Sequence, residues 1–528
     1  MKETLKSLLG NIPYAADLYW LARQRGKPFR AHYQLESLRQ VIDQAAAEAR
    51  PHAARAPQGK RVFLFATLHY WVEQSALVGL ILRGLGHDVT LAYLPYSDWR
   101  KPISKFDARR QDLYTREVLS PAADLLRIIS LLETPPAPAL PAALAGDVAL
   151  VSTYDTQYTD QVEEIDPDSA LYRLRLERNT FAAQAALRLL QDSRPDVVVV
   201  PNGTILELGA VYRVARHLGI PVVTYEFNDN REQFWMALND EVMRQNTDAM
   251  WAARGGLPLT DAERGLIEAL ESARMGGRAF GKSARKWQDV ATQGAEQARA
   301  ALGLDSRPVI LLATNVLGDS LTLGRNIFSR SMAEWISETV KYFANRPEVQ
   351  LVIRVHPGER LTHGPSMVDV VTAALPELPE HIKLVRPLEK INTYDLMELT
   401  QLGLVYTTTT GMEMSMHGIP VIAAGETHYR KRGFTLDPHT WDDYYALLNR
   451  ALANLPAQRL TPAQVELAWR YAYRFFFEYP RPFPWKLAGF WQEYPTWTVG
   501  RVLSEEGRAA FGRTFDHLTG EPIDWTNL

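Results

Sequence analysis

The sequence predicts an α/β protein with two doubly wound domains, and three features of the chain support this prediction. Short apolar runs rich in β-branched residues alternate with longer amphipathic stretches. The alternation stops over a polar segment, residues 255–303, and then begins again. The chain has 528 residues, 46% of them hydrophobic, which is enough for several domains. We therefore expect two α/β blocks of similar size, joined by a helical linker.

Apolar runs in the first block predict buried parallel strands, because strands covered by helices on both faces lack polar alternation. These runs are Val62–Ala66, Asp88–Tyr93, Asp147–Ser152, Asp196–Val200 and Pro221–Tyr225. Helices are predicted at Val72–Leu85 and Ile205–Leu218, each followed by a glycine that can end it, Gly86 and Gly219.

The second block repeats this arrangement around a predicted helix, Ser331–Phe343. Its predicted strands are Pro308–Ala313, Val349–Val355, His381–Val385, Leu402–Tyr406 and Pro420–Ala424. The expected organisation is an N-terminal helical extension (1–55), a first domain (56–254), a helical linker (255–303), a second domain (304–460) and a helical tail rich in aromatic residues (461–528).

Composition excludes several classes of protein. With 58 basic and 61 acidic residues the net charge is −3, so we expect no nucleic-acid partner. The absence of cysteine excludes disulfides, thiolate metal sites and cysteine nucleophiles. The sequence has neither an apolar run of about 18 residues nor a secretory signal. We expect a cytoplasmic protein, or one on the inner face of the cytoplasmic membrane.

The strongest functional pattern lies between two predicted strands, in Leu402–Gly425. Its turn places Thr408, Thr409 and Thr410 where a strand ends and a short helix begins, which is where open α/β sheets bind ligands. Free backbone N–H groups, hydroxyl groups and the positive end of the helix predict a phosphate-binding turn.

Two further residues extend this prediction. Gly411 would let the backbone approach a ligand closely, and Glu413 is placed to accept hydrogen bonds from ribose hydroxyls. The alternative is that the threonines only cap the helix and that Glu413 only balances the helix dipole.

A second pattern follows another predicted strand, at Ile353–Glu359. Pro357 ends the strand and leaves the His356 imidazole and the Arg354 guanidinium near its carboxyl end. A histidine there can donate to a phosphate oxygen and can carry a proton near neutral pH. Arg354 fits a solvent-facing role equally well, and Glu359 is included among the expected substrate contacts.

Two loops of the same block complete the expected binding site. Asn315 and Gly318 follow the first strand of the block, where the glycine can allow a phosphate or a sugar to approach. In the loop after the last strand, Tyr429 can stack on a base, while Arg430 and Arg432 supply positive charge. The alternative for this last loop is a solvated basic surface.

Together these segments resemble the capsule polysaccharide biosynthesis family, which includes bacterial Kdo transferases that build on a lipid anchor. The matching stretches are Thr314–Leu321, Glu334–Glu359, Thr407–Gly425 and Thr427–Pro438. The resemblance implies two Rossmann-like domains facing a cleft, as in GT-B glycosyltransferases. It also implies that His356 and Thr408–Thr410 hold the phosphate of a nucleotide sugar, a pairing similar to that of bacterial sialyltransferases.

The expected function is therefore that of an inverting glycosyltransferase without a cofactor. It would move a sugar from a CMP- or UDP-linked donor to a glycan or glycolipid acceptor in capsular polysaccharide synthesis. Metal independence is expected because neither block has an Asp-x-Asp pair after a strand. The alternatives are a nucleotide-sugar 2-epimerase and a non-catalytic assembly protein of the same fold.

A glycosyltransferase of this kind needs a base on the acceptor side, and we expect it in the first block. Three candidates follow predicted strands there, His69, Asp155 and Glu226. Glu226 is preferred because it directly follows its strand and is joined by polar residues 228–229, with the Asn202–Gly203 turn positioning the acceptor. Alternatively, Glu226 caps the next turn, and His69 only faces solvent.

The first 34 residues predict contact with an anionic membrane, because basic and apolar side chains are interleaved there. The basic residues are Lys2, Lys6, Arg23, Arg25, Lys27 and Arg30, against Glu3 and Asp17, and the apolar ones are Leu5, Leu8, Leu9, Leu18, Tyr19, Trp20 and Leu21. The alternative is a helix docked on the surface of the protein itself.

Overall fold

The computed structural model describes residues 6, 8–26, 29, 33–137, 139–228, 233–278, 290–487 and 490–528. The predicted α/β class is confirmed, because the chain divides into two compact units that each contain one largely parallel sheet. The first unit comprises Met1–Asp155, Asp166–Met243 and Pro480–Ile523, and the second comprises Thr156–Ile165, Arg244–Tyr479 and Asp524–Leu528.

The strands agree with most of the predicted apolar runs. They are β1 (Arg61–Thr67), β2 (Asp88–Leu94), β3 (Arg127–Ser130), β4 (Val197–Pro201), β5 (Val222–Phe227), β6 (Gln233–Leu238), β7 (Val309–Ala313), β8 (Gln350–Arg354), β9 (Ile382–Val385), β10 (Thr400–Val405), β11 (Val421–Ala423) and β12 (Arg481–Pro482). In β1, β2, β4, β5, β7, β8, β10 and β11 the apolar side chains are almost completely buried, which explains why these runs lack polar alternation.

Both sheets have the strand order of a doubly wound fold. The first sheet runs β12-β6-β5-β4-β1-β2-β3, with β1 to β5 parallel and β6 and β12 antiparallel at one edge. The second runs β11-β10-β7-β8-β9 and is parallel throughout. In each sheet, the direction in which successive strands are added reverses between two adjacent parallel strands. These are β1 and β4 in the first unit and β7 and β10 in the second.

Helices connect the strands and flank the sheets. The α-helices are Ala15–Tyr19, Glu36–Arg39, Ile42–Ala53, His69–Gly84, Lys105–Leu119, Ala142–Asp160, Ala170–Ser193, Leu206–His217, Asp248–Arg254, Asp261–Met275, Ala295–Leu302, Met332–Ala344, Met367–Ala374, Thr393–Leu399, Thr410–Met416, Trp441–Ala453, Pro462–Tyr473, Val499–Leu503 and Glu505–Leu518. None of those that the structure describes has the length and apolar character that a membrane crossing needs.

One predicted strand, Asp147–Ser152, is wrong. It lies inside the helix Ala142–Asp160, whose buried residues Leu144, Val148 and Val151 follow helical spacing. A short apolar run fits a strand or a buried helix equally well, and length decides between them. The third strand of the sheet is instead β3, whose apolar run was too short to recognise.

The units also differ from the predicted domain boundaries. Thr156–Ile165, within the predicted first domain, groups with the second unit, and the predicted tail is divided at residue 480. Residues 480–523 join the first unit, where β12 pairs with β6 and the Phe483 ring stacks on Phe234 at 3.9 Å, and residues 524–528 group with the second unit again. The sequence does not reveal that a segment packs in the other unit, because neighbouring segments of a chain are assigned to the same domain by default.

Candidate functional site

The site begins where the strand order of the second sheet reverses, between β7 and β10. Asn315 follows β7 and Thr407 follows β10, and the Thr407 backbone N–H donates to the Asn315 side-chain oxygen at 3.1 Å. Both side chains are at least 92% buried at this carboxyl edge, with exposed fractions of 8% and 7%. Doubly wound sheets bind ligands at this reversal point.

His356 is joined to the same edge through its backbone. Its N–H donates to the Thr314 hydroxyl at 3.0 Å, and its ring Nδ1 accepts from the Gly358 backbone N–H, also at 3.0 Å. Because Nδ1 is an acceptor, the neutral imidazole must carry its proton on Nε2. The ends of β8, β7 and β10 therefore form one connected arc with an imidazole donor at one end and the threonine turn at the other.

The threonine turn holds its shape through its own hydroxyls and one buried tyrosine. The Thr408 hydroxyl donates to Thr410 Oγ1 at 3.2 Å, and Thr409 caps the following helix without a side-chain hydrogen bond. The Tyr429 hydroxyl donates to the Thr408 carbonyl at 2.6 Å. The buried Thr407 hydroxyl has no hydrogen-bond partner among the described residues, so it is able to bond to a water molecule or to a bound ligand.

Two glycines of the predicted site serve protein packing. A Cβ on Gly411 would lie 2.5 Å from the Tyr429 hydroxyl, so glycine lets the turn close on that side chain. Gly318 has φ +65°, and a Cβ there would lie 2.2 Å from the Gln157 carbonyl. Each glycine thus allows one part of the chain to approach another, which corrects the expectation of close approach by a ligand.

Two glutamates of the predicted site are already engaged inside the protein. Glu413 is buried and forms an ion pair with Arg274, so it is not free to bind ribose as expected. Glu359 accepts from the Ser366 hydroxyl at 2.5 Å and from the Met367 backbone N–H at 3.2 Å, at the start of the helix Met367–Ala374. Its expected substrate contact is therefore replaced by helix capping.

Arg354 and Pro357 lie at the end of β8 as predicted. Pro357 begins a short 3₁₀ helix and thereby ends the extended chain. Arg354 is 96% buried, with its guanidinium donating to the Arg386 carbonyl at 2.8 Å, so the solvent-facing alternative is wrong. Burial lowers the pKa of Arg354 to about 10, which still leaves a positive charge behind the edge of the sheet at neutral pH.

The loop after β11 packs inward, which corrects three predictions. Tyr429 is completely buried and cannot stack on a base. The Arg430 guanidinium donates to the carbonyls of Ala423 and Pro438 at 2.5 and 2.8 Å. Arg432 pairs with Asp248 at 2.5 Å. These arginines therefore stabilise the loop through contacts within the protein, although Arg432 Nε has no hydrogen-bond partner among the described residues.

One cation at this edge was missed by the sequence analysis. Arg325 lies in the loop after β7 and is 95% buried, and its carbonyl accepts from the Glu426 backbone N–H at 2.8 Å. Burial and the charges of Arg432 and Arg325 lower the pKa of His428 well below its ordinary value. Arg325 belongs to no recognisable sequence motif. Its position at this edge becomes evident only because the loop after β7 contacts the loop after β11 in the folded protein.

The first unit has its own polar edge beside the reversal between β1 and β4. Glu226 lies within β5, one residue before its end, and not directly after the strand as expected. The Asn202 amide donates to Glu226 Oε2 at 3.2 Å, and the Phe227 N–H donates to Oε1 at 3.0 Å. Burial raises the pKa of Glu226 to about 7, within the working range of a general base.

His69 and the Asn202–Gly203 turn lie at the same edge, and the backbone near both has unusual conformations. His69 begins the helix His69–Gly84, and burial lowers its pKa, which favours the neutral imidazole. The preceding Leu68 has φ 65° and ψ 144°, a conformation that costs energy for a residue with a side chain. Gly203 has φ +81°, and a Cβ there would lie 2.5 Å from Thr224 Cγ2. Strain at a strand end is common beside functional sites.

Asp155 is not a strand-end residue. It lies in the helix Ala142–Asp160, completely buried, where it accepts from Arg175 Nε at 3.0 Å and from the Asn179 amide at 2.7 Å. It also accepts from the Leu206 backbone N–H behind the Asn202–Gly203 turn. Asp155 therefore positions this edge from within the protein, and its expected role as a base is wrong.

The polar cluster expected beside Glu226 is only partly described. The Asn228 amide donates to the Gln233 side chain at 3.1 Å, so Asn228 pairs across the β5–β6 hairpin. Asp229, the other expected member, lies outside the described residues.

Comparison with known proteins places this geometry in context. Among solved structures, a beta Kdo 2,4 transferase (KpsC) of Thermosulfurimonas dismutans is 16% identical over 62% of this chain and 87% of its own, with a TM-score of 0.36. A UDP-GlcNAc 2-epimerase from Neisseria meningitidis bound to UDP-GlcNAc is 13% identical over 79% and 99%, with a TM-score of 0.27. No curated protein sequence matches. Over residues 272–465, which contain the arc around His356 and Thr407, the chain matches the family described as capsule polysaccharide biosynthesis protein.

Proposed function

We propose that this protein is a metal-independent glycosyltransferase of GT-B type in capsular or surface polysaccharide synthesis. It would transfer a sugar from a CMP- or UDP-linked donor to a glycan or glycolipid acceptor, with inversion at the anomeric carbon. The observation that carries the proposal is the hydrogen-bonded arc at the strand reversal of the second sheet, from His356 through Asn315 to Thr407. The match of this region to the capsule polysaccharide biosynthesis family supports it.

The second unit would bind the donor. The Nε2–H of His356 and the hydroxyls of Thr407 and Thr410 would donate to phosphate oxygens, and buried Arg354 and Arg325 would add positive charge behind them. These groups supply the charge that a leaving nucleotide needs in the transition state without a bound cation. The first unit would bind the acceptor, with Glu226 taking the proton of the attacking hydroxyl.

The test of this proposal is an assay with CMP- and UDP-linked sugars, each incubated with and without glycan acceptors. A glycosyltransferase requires both substrates and releases nucleotide as product forms. Conversion of the sugar nucleotide in the absence of acceptor would show an epimerase instead. A thermal-shift screen identifies the donor first, because a ligand that binds only the folded state raises its melting temperature. No shift with any donor would contradict the proposal.

We expect His356→Ala to weaken donor binding or turnover by about 1.5–3 kcal/mol, or roughly 10- to 150-fold, while the protein stays folded. The reason is the loss of a donor to a charged phosphate oxygen. The measurement is the donor titration followed by thermal shift and by kinetics. His439→Ala, which removes an exposed histidine from the same unit, is the control and should bind donor normally.

A second variant separates this role from helix capping. His356→Asn keeps a side-chain oxygen that can accept from the Gly358 N–H, but its shorter side chain places no donor at the Nε2 position. If phosphate binding is the role of His356, the asparagine variant is as defective as the alanine variant. Recovery of donor binding in His356→Asn would show that the imidazole only caps the turn and would overturn the assignment.

A further inference from the structure

The first described helical segment carries an exposed apolar surface. It consists of Leu8, Ile12, Tyr14, Leu18, Tyr19 and Leu21, with exposed fractions of 42% for Tyr19 up to 75% for Tyr14. We call this set the N-terminal apolar surface. Other large exposed hydrophobic side chains of the described chain are scattered between residues 150 and 528. Single exposed apolar residues are ordinary, whereas a concentrated group marks an interaction site.

The opposite side of this segment is fixed to the first unit. Trp20 is 95% buried, with its ring 6.3 Å from that of Tyr114. Asp17 forms an ion pair with Arg109 at 2.7 Å, on the helix Lys105–Leu119. The segment is thus docked on its own protein, as the alternative prediction held, and Trp20 is not among the exposed residues as the membrane prediction required. Of the N-terminal apolar surface, Tyr19 also contacts the helix Lys105–Leu119, with its ring 5.6 Å from that of Phe106, and its other side remains exposed together with the leucines.

The exposed residues are spread over consecutive turns of this segment. Tyr14 precedes the short α-helix Ala15–Tyr19, Leu18 lies within it, and Leu21 lies in the π-helical turn Trp20–Gln24. Docking of the segment leaves these apolar side chains in contact with water, so their exposure does not stabilise the protein. That arrangement fits a surface that becomes buried against something outside the unit.

The segment that carries this surface has a positive net charge. Between residues 6 and 26 the only acidic residue is Asp17, which Arg109 neutralises. Arg23 and Arg25 are exposed at the end of the segment. Lys6 pairs with Asp107 at 2.8 Å, while Lys2, Lys27 and Arg30 lie outside the described residues.

We propose that the N-terminal apolar surface rests in the headgroup region of an anionic lipid bilayer. Apolar side chains would enter the boundary of the acyl chains, and Arg23 and Arg25 would contact lipid phosphates. This contact is peripheral, and it does not depend on the proposed function. A lipid surface fits better than a second copy of the chain, because two copies would bring the same exposed arginines together.

The test is cosedimentation of the full chain with vesicles of phosphatidylglycerol and phosphatidylethanolamine. Leu18→Glu/Leu21→Glu should reduce binding at least about tenfold, because two apolar anchors become charged. Leu388→Glu, at a leucine that is 78% exposed in the other unit, is the matched control and should bind as the unaltered protein does. Arg23→Gln/Arg25→Gln should weaken binding to these vesicles, and high salt should remove this difference.

The substituted leucines are exposed, so the variants should keep the melting temperature of the unaltered protein, which checks their folding. Absence of binding to anionic vesicles by the unaltered protein would overturn the proposal. Equal binding by Leu18→Glu/Leu21→Glu would do the same. Light scattering gives the last outcome: if that variant dissociates an oligomer that the unaltered protein forms, the surface is a protein interface and the proposal is wrong.

Discussion

Replacing Glu226 by glutamine is expected to lower turnover by about 10²–10⁴-fold while donor affinity stays unchanged. This is the usual contribution of a general base, and glutamine keeps the shape of the side chain but cannot accept a proton. The effect should appear in kcat with a saturating acceptor, since donor binding is proposed for the other unit. Glu177→Gln, an exposed carboxylate of the same unit, is the control and should retain full activity.

The pH dependence of activity gives a second measurement of the same role. Because the pKa of Glu226 is about 7, the carboxylate forms as the pH rises through neutrality, so activity should rise between about pH 6 and 8. The residual activity of Glu226→Gln should lose this rise. Near-normal activity in Glu226→Gln together with an inactive His69→Ala would transfer the role of base to His69.

The stability of the protein should fall as the pH rises, whereas the activity should increase. Burial raises the pKa of Glu226 from 4.5 to about 7, so between these values the folded protein binds more protons than the unfolded chain. The free energy of unfolding from this group therefore falls as the pH rises through that window. Glu226→Gln should remove the fall and be no less stable at pH 7, which separates lost catalysis from lost folding.

Replacing Arg175 by methionine is expected to lower the free energy of unfolding by about 3–5 kcal/mol. Arg175 is completely buried and forms ion pairs of 3.0 Å with both Asp155 and Glu207. Removing the cation leaves Asp155 and Glu207 buried without their ion-pair partner, and a methionine of similar length cannot solvate them. Denaturant titration of the full chain measures the change.

A nearby arginine supplies the matched control. Arg173 lies on the same helix and pairs with Asp168 at 2.6 Å, but the two side chains are 65% and 87% exposed. Arg173→Met should therefore cost less than about 1 kcal/mol. Similar losses for both variants would mean that burial of the Arg175 cluster does not determine its effect. A large loss for Arg175 alone would confirm that this cluster holds the helices behind the Asn202–Gly203 turn.

Most of the architecture could be predicted from the sequence, because buried parallel strands are recorded locally as apolar runs. The strands β1, β4, β7 and β10 were recognised in this way, and so was the reversal-point turn at Thr407. The order of the strands within each sheet came only from the structure. The prediction failed at Asp147–Ser152, where a short run fits two structures, and at β3, whose run of four residues is too brief.

The sequence by itself determined the α/β class, the strand-end positions of His356, Asn315 and the threonine turn, and the match of the second block to a known family. Only the tertiary structure decided which polar residues bind other parts of the protein and are therefore unavailable to a ligand. Glu413, Tyr429 and Arg430 had suitable chemistry and position, yet each is engaged by a partner distant in the chain or by its own loop. The physical reason is that hydrophobic periodicity depends on neighbours along the chain, whereas burial and ion pairing depend on elements that meet only after folding.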